Sequence, residues 1–221
     1  MKGEVQVPWA LDRLNHVSGR VFLFMAGGPA GKKRGVANIT DYVELRNLVD
    51  LAVKAKPIPY LDKRKQIRDR ALLAFIAATG MRISEALSVK RGDFNQHNPD
   101  FVVVNNVRIL KRRKETIMKD FVLPRTGVLK PLTDLVMLHY RNVKDGAPLF
   151  DISRQRAWQV IVYMTGKWCH YFRSQRISFL VNKIRSTTAV ADLLGIKKSS
   201  TIDHYYKGGW GQFRKELAPK E

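Results

Sequence analysis

The chain has 221 residues, 45% of them hydrophobic, enough for one substantial core and long enough for an enzyme. Lys and Arg number 40 against 19 acidic residues, a formal charge of +21 that points to a polyanionic partner. No stretch approaches the roughly 18 apolar residues of a membrane span, the run VFLFMA is too short for a signal peptide, and the single cysteine, Cys169, excludes an internal disulfide and a multi-cysteine zinc site. The expected protein is therefore soluble and cytoplasmic, with Cys169 a small buried hydrophobe.

In chain order, residues 1–35 read as a basic arm or linker ending in MAGGPAGKKRG, and 36–221 as the main domain with a C-terminal tail. The glycine-rich stretch is no Walker A loop: Ala26 stands six residues before Lys32, and Lys33 where Ser or Thr is required. From Thr40 as N-cap, DYVELRNLVDLAVKA places Val43, Leu48, Leu51 and Ala52 at helical spacing until KPIPY stops it. DKRKQIRDRALLAFIAATG is a second helix closed by Gly80, and RISEALSV a third. The period then becomes two: FVVV, VRIL and IMKDFVLP, separated by NN and KRRKE, predict a three-stranded antiparallel sheet. Helices return after Pro131 in LTDLVMLHYRNV, RQRAWQVIVYMTGKW, RISFLVNKIRS, TAVADLLG and finally WGQFRKEL. The fold class is α+β, mostly helical.

Four segments carry chemistry. In TGMRISEAL, Arg82 interrupts a largely buried pattern, and a guanidinium on the inner side of such a segment must meet an anion, because an unpaired buried one is costly. The bland alternative is an Arg82 to Glu85 pair within one helix. In HYFR, His170 and Arg173 are three apart, on one helical face. LLGIKKSSTIDHYY ends in Tyr205 and Tyr206, and the turn LKRRKE offers Lys111 and Lys114.

In their order and spacing these segments resemble the tyrosine recombinases of phage-integrase type, from about residue 40 to 206. The resemblance implies that Arg82 and Arg173 bind a scissile DNA phosphate, with Glu85 supporting the local structure and His170 transferring a proton. It makes Tyr205, ten residues after Gly195, the nucleophile, with Tyr206 the alternative. It also makes Lys111 the acid that protonates the leaving 5′-oxygen, with Lys114 as runner-up. The implied reaction is strand exchange through a 3′-phosphotyrosyl bond on double-stranded DNA, by a homo-tetramer, with no cofactor, metal or ATP. In KGGWGQFRKEL, Trp210, Phe213 and Leu217 form an apolar stripe, which the resemblance assigns to packing on a neighbouring subunit and which suits packing on its own domain equally.

Two departures stand out. Ile196 occupies the place where the family carries a histidine or tryptophan, with Lys197, Lys198 or His204 nearby as a substitute, and the helical domain that usually precedes the catalytic one looks truncated or absent. Ile196 keeps open a catalytically silent DNA binder; topoisomerase IB-like relaxation is the other alternative. His16, His97 and His139 lack metal-ligand companions, and Trp158, Tyr163 and Trp168, at helical spacing, read as core.

Overall fold

The computed structural model describes residues 45–59, 62–109 and 117–196, with 199 and 202. The basic arm, the Thr40 cap, the turn bearing Lys111 and Lys114, and the C-terminal segment with Tyr205, Tyr206 and the WGQFRKEL helix lie outside the described residues.

The centre of the fold is a helix whose sequence changes character half-way. Helix α2 (Lys63–Thr79), after α1 (Leu45–Val53), begins with the charged KRKQIRDR and is then buried continuously from Ala71 to Thr79. A helix end that is apolar on all sides must be surrounded, and α1 and four later helices pack around this one. Its N-terminus is capped by Asp62, whose carboxylate accepts from the Lys65 N–H at 2.9 Å. The backbone N–H hydrogen bonds lower the Asp62 pKa. The other end is closed by Gly80 at φ 71°, whose N–H donates to the Ile76 carbonyl. A side chain here would be strained, and its Cβ would press within 3.0 Å of Arg176 Cγ.

Helix α3 (Ile83–Ala86) follows at once and has four residues, half the predicted RISEALSV, because the Ser88 hydroxyl donates to the Glu85 carbonyl as the chain turns away. A 3-10 turn, Arg91–Asp93, leads into the sheet. The predicted three-stranded antiparallel sheet is present, with its strands divided differently: β1 is Phe94–Asn95, β2 is Phe101–Arg108 and β3 is Met118–Pro124, in the order β1-β2-β3. FVVV and the Val107–Arg108 start of VRIL belong to one strand. The Asn-Asn pair between them is a bulge: Val104 pairs with Phe121 and Val107 with Lys119, so β2 carries an extra residue. Asn106 absorbs it at φ 55°, and its N–H donates to the Asp120 carboxylate at 2.9 Å. The bulge restores the alternation, and Val102, Val104 and Val107 all point into the core.

Helices α4 (Lys130–Tyr140), α5 (Arg154–Thr165), α6 (Cys169–Ile184) and α7 (Thr187–Leu193) complete the order. Helix α6 is longer than the predicted RISFLVNKIRS because HYFR forms its first turns, pinned by the fully buried Phe172. Two expectations about ring side chains divide. His139 is half-buried as a core residue: its Nε2 lies 2.8 Å from the Leu149 carbonyl, its ring stacks on Phe150, and burial lowers its pKa. Trp158, Tyr163 and Trp168 are not core, being 38%, 49% and 47% exposed. Trp158 and Tyr163 lie on α5, whose buried face is Ala157, Val160, Ile161 and Met164, and Trp168 lies beyond its end as the residue before α6.

Candidate nucleic-acid cleavage site

The end of α2 builds the site. After Gly80 reverses the backbone, Arg82 adopts an extended conformation and heads α3. Its N–H donates to Glu85 Oε2 at 2.8 Å, and its Nη1 donates to Glu85 Oε1 at 2.7 Å. The intrahelical pair foreseen as the bland alternative is thus present, but it is half of a larger arrangement.

The other half arrives from α6. Arg173 is 2% exposed, its Nη1 donates to the Gly80 carbonyl at 2.7 Å, and the same nitrogen lies 3.9 Å from Glu85 Oε2. The fully buried Glu85 therefore holds both guanidiniums, and the two arginines converge as expected. An ion pair out of water is stable only when hydrogen bonds satisfy its members, and here the carbonyl of a helix-capping glycine supplies one of them.

Both arginines open onto one cleft of about 590 Å³, lined also by Ser84, Arg154, His170 and the indoles of Trp158 and Trp168. His170 is exposed on the first turn of α6, its ring centroid 6.1 Å from that of Trp168. Cys169 borders the same cleft with its thiol pushed up to about 11 by burial, so it is a neutral packing group. Three arginines, Arg82, Arg154 and Arg173, line the cleft with no acidic residue among its described lining, and the buried Glu85 carboxylate pairs with two of them. Such a surplus suits an anion, and forked guanidiniums suit one with several equivalent oxygens.

The Leu-Gly step lies beside the sheet. Gly195 has φ 62°, and a Cβ there would stand 2.9 Å from Ile109 Cγ1, so the strand end leading into the basic turn presses on the residue from which the C-terminal segment departs. Ile196 is a packing residue: it lies partly buried against the core, and its N–H donates to the Ala191 carbonyl at 2.7 Å. Sequence reasoning missed Arg154, Gln155, Trp158 and Trp168 as cleft residues; the signal was a tryptophan two positions before His170. Among the described residues there is no group of three His, Cys, Asp or Glu side chains able to hold a metal ion, and no helix long and apolar enough to cross a membrane.

The model of the phage integrase family matches residues 44–208, three-quarters of the chain. The chain belongs to the phage integrase family. It is 27% identical over 158 residues to tyrosine recombinase XerC of Rickettsia bellii (strain RML369-C), covering 64% of this chain and 48% of that protein. It is 23% identical over 150 residues to tyrosine recombinase XerH of Campylobacter jejuni, covering 65% and 42%. The chain thus spans about half the length of the curated relatives it matches. XerH recombinase bound to its difH substrate, a pre-cleavage complex, superposes with a TM-score of 0.56 at 17% identity, over 80% of this chain and 53% of that one. XerA recombinase superposes with a TM-score of 0.54 at 14% identity, over 79% and 65%. These likenesses show that the integrase-family chain has the tyrosine-recombinase catalytic fold.

Proposed function

We infer that this phage integrase family member is a site-specific DNA recombinase that cuts and rejoins DNA through a 3′-phosphotyrosyl intermediate. The observation that carries the reading is the convergence of Arg82 and Arg173, from separate helices, on one cleft with His170 at its rim. In this reading the guanidiniums grip the non-bridging oxygens of the scissile phosphate and stabilise the charge that grows in the phosphorane-like transition state, the largest contribution in such chemistry. The Tyr205 oxygen attacks phosphorus while its proton passes to His170. The bond to the 5′-oxygen breaks as that oxygen takes a proton from Lys111. The diester is conserved in the enzyme–DNA bond, so an incoming 5′-hydroxyl reverses the step with no energy source. DNA of two sites is brought together by four copies of the chain, with the segment around Trp210 packing on a neighbour.

The test is a duplex nicked close to the cleavage position, from which the short released fragment diffuses away and leaves the covalent complex trapped. Because the target sequence has to be found first, a pool of duplexes with a randomised central segment is used and the trapped fraction sequenced. The expected result is a covalent adduct mapped by mass spectrometry to Tyr205 and absent in Tyr205→Phe. DNA bound tightly with no adduct from any member of the pool overturns the reading; an adduct on Tyr206 overturns the nucleophile assignment.

A further inference from the structure

We propose that Trp158 and Trp168 form an aromatic wall that receives an unpaired nucleobase beside the phosphate held by Arg82 and Arg173. The proposal rests on the strand-exchange reading above and extends it from the phosphate to the base.

The first argument is placement. The two indoles, on α5 and at the start of α6, line the cleft that the arginines line, and both are well exposed, at 38% and 47%. A base joined to the gripped phosphate through its sugar is one nucleotide away, within reach of a wall on the same cleft.

The second argument is that neither indole belongs to the face its helix buries. Helix α5 buries Ala157, Val160, Ile161 and Met164, leaving Trp158 outside this apolar face. Trp168 is the N-cap of α6, extended at φ −80° and ψ 155°, and makes no side-chain cap hydrogen bond. Ser, Thr, Asp or Asn would stabilise the helix there, as Ser153 does for α5 by accepting from the Arg156 N–H at 3.2 Å. A large aromatic at a position that rewards a small polar residue, exposed on a cleft, is better explained by what enters the cleft.

The third argument selects the occupant. A wall of two indoles beside three guanidiniums suits a ligand that is anionic at one end and flat and aromatic at the other, which describes a nucleotide. In paired duplex the base faces are covered by their neighbours. Strand exchange, however, requires bases next to the cut to leave one partner before meeting another, and a protein that offers a π-face there lowers the cost of unstacking. The cleft volume of about 590 Å³ is in the range of small-ligand sites.

The experiment compares binding of the full chain to three short duplexes of the same arbitrary sequence: fully paired, with one unpaired thymidine, and with one unpaired abasic residue. The chain is expected to bind the thymidine bulge about tenfold more tightly than the abasic one, with quenching of tryptophan emission on the thymidine bulge alone. Trp168→Ala and Trp158→Ala should each reduce the preference, and Trp168→Phe should retain part of it, since a smaller ring still stacks. Equal affinity for thymidine and abasic bulges overturns the proposal. So does a preference that survives the double alanine variant with a native circular dichroism spectrum, or emission that DNA leaves unchanged because protein covers the indoles. The readout is binding, so it separates from the chemistry. Trapping on the nicked duplex without a base preference removes the aromatic wall alone, while a tryptophan-dependent preference without trapping supports the wall and removes strand exchange.

Discussion

Replacing Glu85 with alanine tests the electrostatic centre of the site. The carboxylate is fully buried and accepts from the Arg82 N–H at 2.8 Å and Arg82 Nη1 at 2.7 Å, with Arg173 Nη1 at 3.9 Å. The consequences for the two arginines differ. Arg82 is 26% exposed and recovers hydration, so its loss is partial. Arg173 is 2% exposed and keeps the Gly80 carbonyl but no counter-charge from Glu85. Removing one member of a buried pair costs about 3–5 kcal/mol, mostly from the charge left behind. Against a total stability of about 5–15 kcal/mol, that is a large share. For a chain of this size it lowers Tm by about 10 °C. Urea denaturation followed by circular dichroism measures it, with Glu85→Gln as companion: the amide keeps an acceptor near Arg82 and should lose about half as much. A loss below about 1 kcal/mol for Glu85→Ala would refute the claim that this carboxylate compensates Arg173.

Three further outcomes follow from the geometry. Arg173→Lys leaves one ammonium to serve both the Gly80 carbonyl and a phosphate, so yields of covalent DNA complex should drop at least about a hundredfold while filter-binding affinity changes little; equal trapping would show that a simple positive charge suffices. Gly195→Ala should destabilise by about 1–3 kcal/mol, and its pair with Ile109→Ala should cost less than the sum of the two single variants, because one component is the contact with Ile109 and the other is the positive φ; strictly additive effects in a denaturation cycle would contradict the contact. The Cys169 thiol, raised to about 11, stays protonated well above the pH at which an ordinary thiol ionises. Iodoacetamide at pH 8 should therefore label it far more slowly in the native protein than in urea, and equal rates by mass spectrometry would show an exposed thiolate.

What could be read from the chain alone tracks how local each determinant is. Helix α2 was readable because its signals are local: a charged half, an apolar run and Gly80 at the close. The sheet was found as a sheet but divided wrongly, because an Asn-Asn pair is a turn signal by composition and only the register against β3 reveals a bulge. The convergence of Arg82 and Arg173 was inferred from family resemblance, since the contact between Arg173 and Gly80 spans 93 residues and no local rule encodes it. Spacing put Trp158 and Trp168 on helical faces without saying which face meets the core, and they were assigned inward. The exposure of the two indoles reversed that.

Gly80 ties two fates together. It closes the most deeply packed helix of the protein and lends its carbonyl to a guanidinium at the cleft, with no spacer between the hydrophobic interior and the chemistry. Substitutions that loosen the packing around Phe75 or Ile76, away from the cleft, will tilt that carbonyl and register as a misplaced Arg173 before they register as unfolding. Efforts to harden this scaffold therefore succeed most safely at its periphery, and random variants selected for altered activity will cluster in the interior as readily as along the cleft.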